Sequence, residues 1–202
     1  MQKVMMPVFY MPPVSWFAKF LQSDTEVVLE QHESFPKQTY RNRANIYGAN
    51  GKLALIIPIQ HSEDKLYKNT KVSNAVKWQS QHWKSIESAY KGSPYFDYYE
   101  HKLKALFTKE VDSLLEFNLK LLDLFLSILK VDKTYTLTED YDTVVEAVDF
   151  RNSFSAKSNH SEDLPEYYQT FSEKHGFISN LSILDLICNN GPESATYLKS
   201  LK

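Results

Sequence analysis

The stretch VMMPVFYMPPVSWFAKFLQSDTEVVLE, residues 4–30, decides the fold. Val4 to Phe9 reads as a short buried strand. Pro12-Pro13 ends it, and Pro13 suits the first position of a helix, where its missing N–H is harmless. The helix expected over residues 14–22 sets Trp16, Phe17, Phe20 and Leu21 on one side. Thr25 to Glu30 is again strand-like. Strand, loop, helix, strand is the opening of a βαβ unit. The reading is an α/β fold, a single domain over 1–202, with a parallel or mixed sheet and a helical C-terminal half.

Downstream, Asn50-Gly51 signals a turn, and LALIIPI (53–59) reads as a buried strand of the same sheet, with Pro58 marking its end or an edge. Lys71 to Ser73 is one more short strand. Trp78 to Tyr90 is helical, with Trp83, Ile86 and Tyr90 at i, i+3 and i+7. Gly92-Ser93-Pro94 closes that helix. Residues 95–130 hold two apolar stripes, and the capping-box spacing of Ser113 and Glu116 places a break between two helices near 109–112. TYTLT (134–138) alternates as a half-exposed strand does. RNSFSAKSNHSEDLP (151–165) is Ser/Asn-rich and aperiodic, which suggests a surface loop or mobile lid. Ser182 and Asp185 repeat the capping-box spacing, so Asp185 reads as a capping residue. Gly191 can then end that helix and Pro192 start the next.

Composition sets the class. A length of 202 residues fits one domain, and 13 Tyr with 12 Phe supply a core despite a mean hydropathy of -0.43. Twenty-three basic residues against 25 acidic ones leave no global electrostatic reason to bind nucleic acid or an anionic membrane. Cys188 is the only cysteine, inside an apolar run, and reads as a small buried hydrophobe in a reducing compartment. The N-terminus lacks signal-peptide features, and no window reaches the ~20 apolar residues of a membrane helix. A cytoplasmic monomer or small homo-oligomer is expected.

The densest polar run is EQHESFPKQTYRNRANI, residues 30–46, just beyond the carboxyl end of an expected strand. Open α/β sheets place ligands there. Lys37, Arg41 and Arg43 suit a phosphate or carboxylate, Arg in a bidentate fork and Lys as a point charge. Gln38 and Asn42 can orient an acceptor. The alternative is a solvated connection whose charges face water. His82 borders the buried face of its helix and can act as general acid or base, as can His32. A histidine so placed also commonly packs and donates to a carbonyl. No zinc-ligand spacing and no phosphate-loop or nucleophile-elbow motif occurs, so no cofactor or metal is expected.

Four stretches together resemble the WbqC-like family in its short form. They are YMPPVSWFAKFLQSD (10–24), KQTYRNRANI (37–46), WQSQHWKSIESAYKGSPYF (78–96) and YYQTFSEKHGFISNLSILDLICNNGPES (167–194). Longer members begin with a Gln-Pro pair where this chain has Met6-Pro7, and carry an Asn-Pro-Gly-Gly-type segment absent here. The resemblance implies surface polysaccharide (O-antigen type) biosynthesis, with aminoacyl or glycine transfer to a nucleotide-linked or lipid-linked sugar. The opening layout is also similar to nucleotidyltransferases of the HIGH type, without their paired histidines. On this reading Arg41, Arg43 and Lys37 hold the phosphate, Asn42 and Gln38 orient the acceptor, and His82 or His32 moves the proton. The alternative is a non-catalytic protein that binds a sugar nucleotide or a biosynthetic partner.

Overall fold

The computed structural model describes residues 2–22, 24–142, 146–156 and 163–201. Strand β1 (Gln2–Pro7) leads through the Pro/aromatic loop into helix α1 (Val14–Phe20), and β2 (Thr25–Glu30) returns parallel to β1. Val4 lies opposite Val27 and Met6 opposite Leu29. These near-continuous apolar strands suit a sheet covered on both faces. Helix α1 is anchored through its rings. Trp16 stacks on Phe20 at 4.9 Å, and its indole Nε1 donates to the Pro7 carbonyl at 3.0 Å.

The next two strands depart from expectation. Strands β3 (Arg43–Gly48) and β4 (Gly51–Ile56) form a separate antiparallel pair, so residues 53–59 do not join the sheet of β1 and β2. The cause is the two-residue turn Ala49-Asn50, with Gly51 at φ +97°. So tight a connection joins only antiparallel neighbours. Asn42 and Ile57 extend the pairing, since the Ile57 N–H donates to the Asn42 carbonyl at 2.8 Å. Lys71 to Ser73 is likewise no strand. Lys71 bridges to Ser113 and Val72 to Ile59 as isolated contacts.

Helix α2 (Trp78–Tyr90) has the expected limits. The long helical region divides into α3 (Phe96–Leu106) and α4 (Leu114–Leu129), and the Ser113 hydroxyl accepts from the Glu116 N–H at 3.3 Å. Lys130 ends α4 in the left-handed conformation, φ 54°. Among the described residues no helix is long and apolar enough to cross a membrane. Strands β5 (Tyr135–Leu137) and β6 (Val148–Asp149) complete a four-stranded parallel sheet of order β5-β2-β1-β6. The proposed lid over 151–165 falls partly on residues 157–162, outside those described; residues 151–156 and 163–165 contain no helix or strand.

The C-terminal part adds α5 (Ser172–His175), α6 (Ile183–Asn190) and α7 (Ser194–Ser200), the last two joined by the short turn Gly191–Glu193. Cys188 is fully buried, as its apolar setting suggests. The Ser182 hydroxyl caps α6 by accepting from Leu184. Asp185, in contrast, is not a capping residue. It is 0% exposed, and its Oδ2 accepts from the Tyr167 hydroxyl at 2.7 Å and from Gln169 Nε2 at 2.9 Å. Burial pushes its carboxyl up to about 6, against the lowering effect of the Tyr167 and Gln169 hydrogen bonds and a weaker one from Tyr90.

Candidate functional site at the carboxyl edge of the parallel sheet

In the order β5-β2-β1-β6 the chain leaves β1 toward β2, while β6 lies on the other side of β1. The loops after β1 and β6 therefore diverge, and such a divergence is where open α/β sheets leave a crevice. Glu30, the last residue of β2, opens onto this edge and is fully buried. Its Oε1 accepts from the His32 N–H at 2.7 Å and the Thr138 hydroxyl at 2.9 Å. Its Oε2 accepts from Arg151 Nη1 at 3.1 Å. Arg151 also grips Asp149 through Nε and Nη2, the latter at 2.7 Å, donates to the Asp142 carbonyl, and lies 4.9 Å from the Tyr141 ring. That pairing raises the Arg151 guanidinium and holds the Asp149 carboxyl below its usual range.

A second ion pair stands beside the first. Arg41 makes a bidentate contact with Glu33, Nε to Oε1 at 2.5 Å and Nη2 to Oε2 at 2.6 Å. It also donates to the Arg151 carbonyl at 3.3 Å and lies over the Phe9 ring. Burial raises the Glu33 carboxyl, and the Arg41 hydrogen bond opposes that rise. Buried charges persist only when paired in this way. Among the described residues the cluster holds three carboxylates, Glu30, Glu33 and Asp149, against two guanidiniums, Arg41 and Arg151. Only Asp149 among them reaches appreciably into solvent, with 35% of its side chain exposed.

Residues 31–42 are not a loose solvated connection. The Arg41 carbonyl accepts from Asn118 of α4 at 2.7 Å, the Tyr40 carbonyl from the Tyr10 N–H, and the Glu33 carbonyl from the Tyr67 N–H. Asn118 and the Tyr67 hydroxyl continue this network to the Val8 carbonyl on the β1 loop. Every strap runs back to the scaffold.

The residues singled out from sequence fall into separate places. Arg41 belongs to the charge cluster, and half-buried His32 adjoins it through its backbone. Lys37 and Gln38 are exposed on a turn, where Gln38 adopts φ 61°. Asn42 donates from Nδ2 to the Ile57 carbonyl at 2.8 Å and so ties down the end of β4. Arg43 pairs across the hairpin with Ile56 and is half-buried, and its Nε has no hydrogen-bond partner among the described residues. His82 lies at the same end of β4, where the Ile56 backbone offsets part of the effect of burial on its ring. Its Nδ1 is hydrogen-bonded to the Tyr10 hydroxyl, 2.9 Å away. Trp78 and Tyr10 enclose the ring, and burial drops the imidazole to about 4, so it is neutral at pH 7.

Sequence reasoning missed Glu30, Thr138, Asp149, Arg151 and Tyr10. Tyr10 had a readable signal, a phenol in the loop directly after the first strand. Arg151 sat in a polar stretch with no periodicity, and nothing local points to Glu30 as its partner.

Three comparisons bear on identity. No curated protein and no solved structure matches the chain. The model of the WbqC-like protein family matches residues 8–152, a span that runs from the β1 loop to just past Arg151.

Proposed function

Because the chain belongs to the WbqC-like protein family, we propose that it is a transferase of surface polysaccharide biosynthesis that passes an aminoacyl group to a nucleotide-linked or lipid-linked sugar at the carboxyl edge of its sheet. The observation that carries this reading is the charge cluster there, with one carboxylate more than its guanidiniums balance. Asp149 shares Arg151 with Glu30 and is the member open to solvent, so it suits the ammonium group of an aminoacyl donor. Arg41 is occupied by Glu33, so it shapes the site. Arg43, whose Nε is unpartnered, and exposed Lys37 take the phosphate, with Gln38 beside them for the acceptor. Asn42 holds the hairpin that presents Arg43.

In the transfer, an acceptor hydroxyl or amine attacks the carbonyl carbon of the activated donor. The bond to the leaving group breaks, and the leaving group keeps the electron pair. The acceptor's proton goes to a base. His32 fills that role, because it is half-buried at the cluster and its ring has no hydrogen bond among the described residues. His82, buried and hydrogen-bonded through Nδ1 to Tyr10, instead fixes the Tyr10 loop.

A second reading, a protein that binds sugar nucleotides without turnover, is favoured by one observation: Arg41 and His82 are already satisfied within the protein. Calorimetric titration of UDP- and dTDP-sugars, followed by assay of labelled glycine transfer from an activated glycyl donor, separates the two. The transferase reading expects Arg43→Ala to weaken sugar-nucleotide binding by on the order of 2 kcal/mol, as loss of a charge-assisted hydrogen bond does. It also expects His32→Ala to abolish transfer while sparing binding. Binding without any transfer supports the second reading. Absence of sugar-nucleotide binding overturns the second reading, and absence of glycine transfer to both nucleotide-linked and lipid-linked sugars overturns the first.

A further inference from the structure

A cavity of about 560 Å³ lies between α3, the last turn of α4 and the turn that follows α6. Its walls include Tyr95, Tyr98, Tyr99, Lys102, Ser127 and Lys130. It is remote from the candidate site. The chain passes from Lys130 to the start of β5, and Lys133 donates to the carbonyls of Gln22 and Thr25 at the amino end of the sheet. The cavity therefore belongs to the opposite edge from Glu30 and Arg151.

The chemistry of its walls is specific. Three phenol rings offer flat faces, and none of their hydroxyls has a hydrogen-bond partner among the described residues. Two lysines line the cavity, and among the described residues no carboxylate lines it and neither lysine forms an ion pair. In the last turn of α4 the Leu126 and Ser127 carbonyls accept from the Lys130 and Val131 N–H groups, which leaves those of Ile128 and Leu129 as acceptors among the described residues. The Tyr95 wall is held in place. Its N–H donates to the Cys188 carbonyl at 3.0 Å, and its ring packs so tightly on Gly191 that a Cβ there would overlap it.

We propose that this cavity is a second ligand site, one that takes a nucleoside phosphate whose base carries an exocyclic amino group. The base stacks on the tyrosines, its amino group donates to the end of α4, and the phosphate meets Lys102 and Lys130. The volume lies within the range of small-molecule sites, and stacking of bases on aromatic side chains is a recurrent mode of recognition. The inference does not depend on the transferase reading.

The test is a calorimetric titration with AMP, UMP, adenosine and inorganic phosphate, on the full chain. AMP is expected to bind more tightly than UMP, and either partial ligand, adenosine or phosphate, more weakly than AMP. Tyr98 is 70% exposed and Lys102 is exposed, so neither substitution disturbs the core. Tyr98→Ala and Lys102→Ala should each weaken AMP binding about tenfold, with unchanged thermal unfolding of the ligand-free chain. Lys71→Ala, an exposed lysine outside the cavity and the candidate site, should leave AMP affinity as it was. Failure of AMP to saturate the protein, or equal affinity in Tyr98→Ala, Lys102→Ala and the natural chain, overturns the proposal. Loss of AMP binding in Arg43→Ala alone also overturns it and moves the nucleotide to the carboxyl edge.

Discussion

Replacing Asp185 with Asn should change how stability depends on pH. The carboxyl is fully buried between α6, the Tyr167–Gln169 segment and Tyr90, with Oδ1 lacking a hydrogen-bond partner. Burial lifts it from its ordinary 3.8 to about 6. Between those values the folded chain holds a proton that the unfolded chain has released, so stability falls as pH rises through the window. The gap is roughly two pH units at ~1.4 kcal/mol each, which makes a loss of ~3 kcal/mol complete above about pH 7. Asn keeps an acceptor for Tyr167 and Gln169 and offers an uncharged amide where Oδ1 stands. Urea unfolding, followed by tryptophan fluorescence, should show the natural chain losing most of that ~3 kcal/mol relative to Asp185→Asn between about pH 4 and pH 8. Parallel stability curves for the two proteins would refute the reasoning, since they would mean that the carboxyl ionises alike folded and unfolded.

Three further outcomes follow from geometry. Glu33→Gln leaves the Arg41 guanidinium buried beside a neutral amide and should cost ~3–5 kcal/mol in chemical denaturation; a loss below ~1 kcal/mol would show that the pair is solvated. Ser113→Ala removes the cap at the start of α4 and should lower unfolding free energy by ~1 kcal/mol, without altering helix content near α3. Gly191→Ala meets both a positive φ of 51° and the Tyr95 ring, so it should destabilise by more than ~1 kcal/mol. A thermal midpoint equal to that of the natural chain would contradict that close approach.

The parts of the fold that were legible are those with local causes. Pro12-Pro13 between two apolar runs announces the β1–α1–β2 unit, and the Ser113–Glu116 spacing locates the break between α3 and α4. Asn50-Gly51 announced a turn, yet its partner strand went unread. In RNRANIYG the two arginines and two asparagines resemble a ligand loop, although Ala44 and Ile46 face the core. β6 is two residues long, too short for any period to register. The charge cluster was half visible. Glu33 and Arg41 lie in one polar run, whereas Arg151 meets Glu30 only through sheet closure. Asp185 looked like a cap by its distance from Ser182, but the apolar residues on both sides of it in LSILDLIC pointed to the interior.

The position of β1 between β2 and β6 has a consequence for biosynthesis. Of the four strands of its sheet β1 leaves the ribosome first, and one flank is covered soon after by β2. Its other flank waits for Val148–Asp149, and the Glu30 carboxylate waits for Arg151, 121 residues later. At the usual pace of translation that interval is roughly ten seconds. Throughout it, the nascent chain displays an unpaired strand edge next to an acid with no counter-ion, the kind of surface on which chains associate wrongly. A chain stalled before residue 148 should therefore remain bound to a chaperone, and release from it should coincide with the emergence of β6.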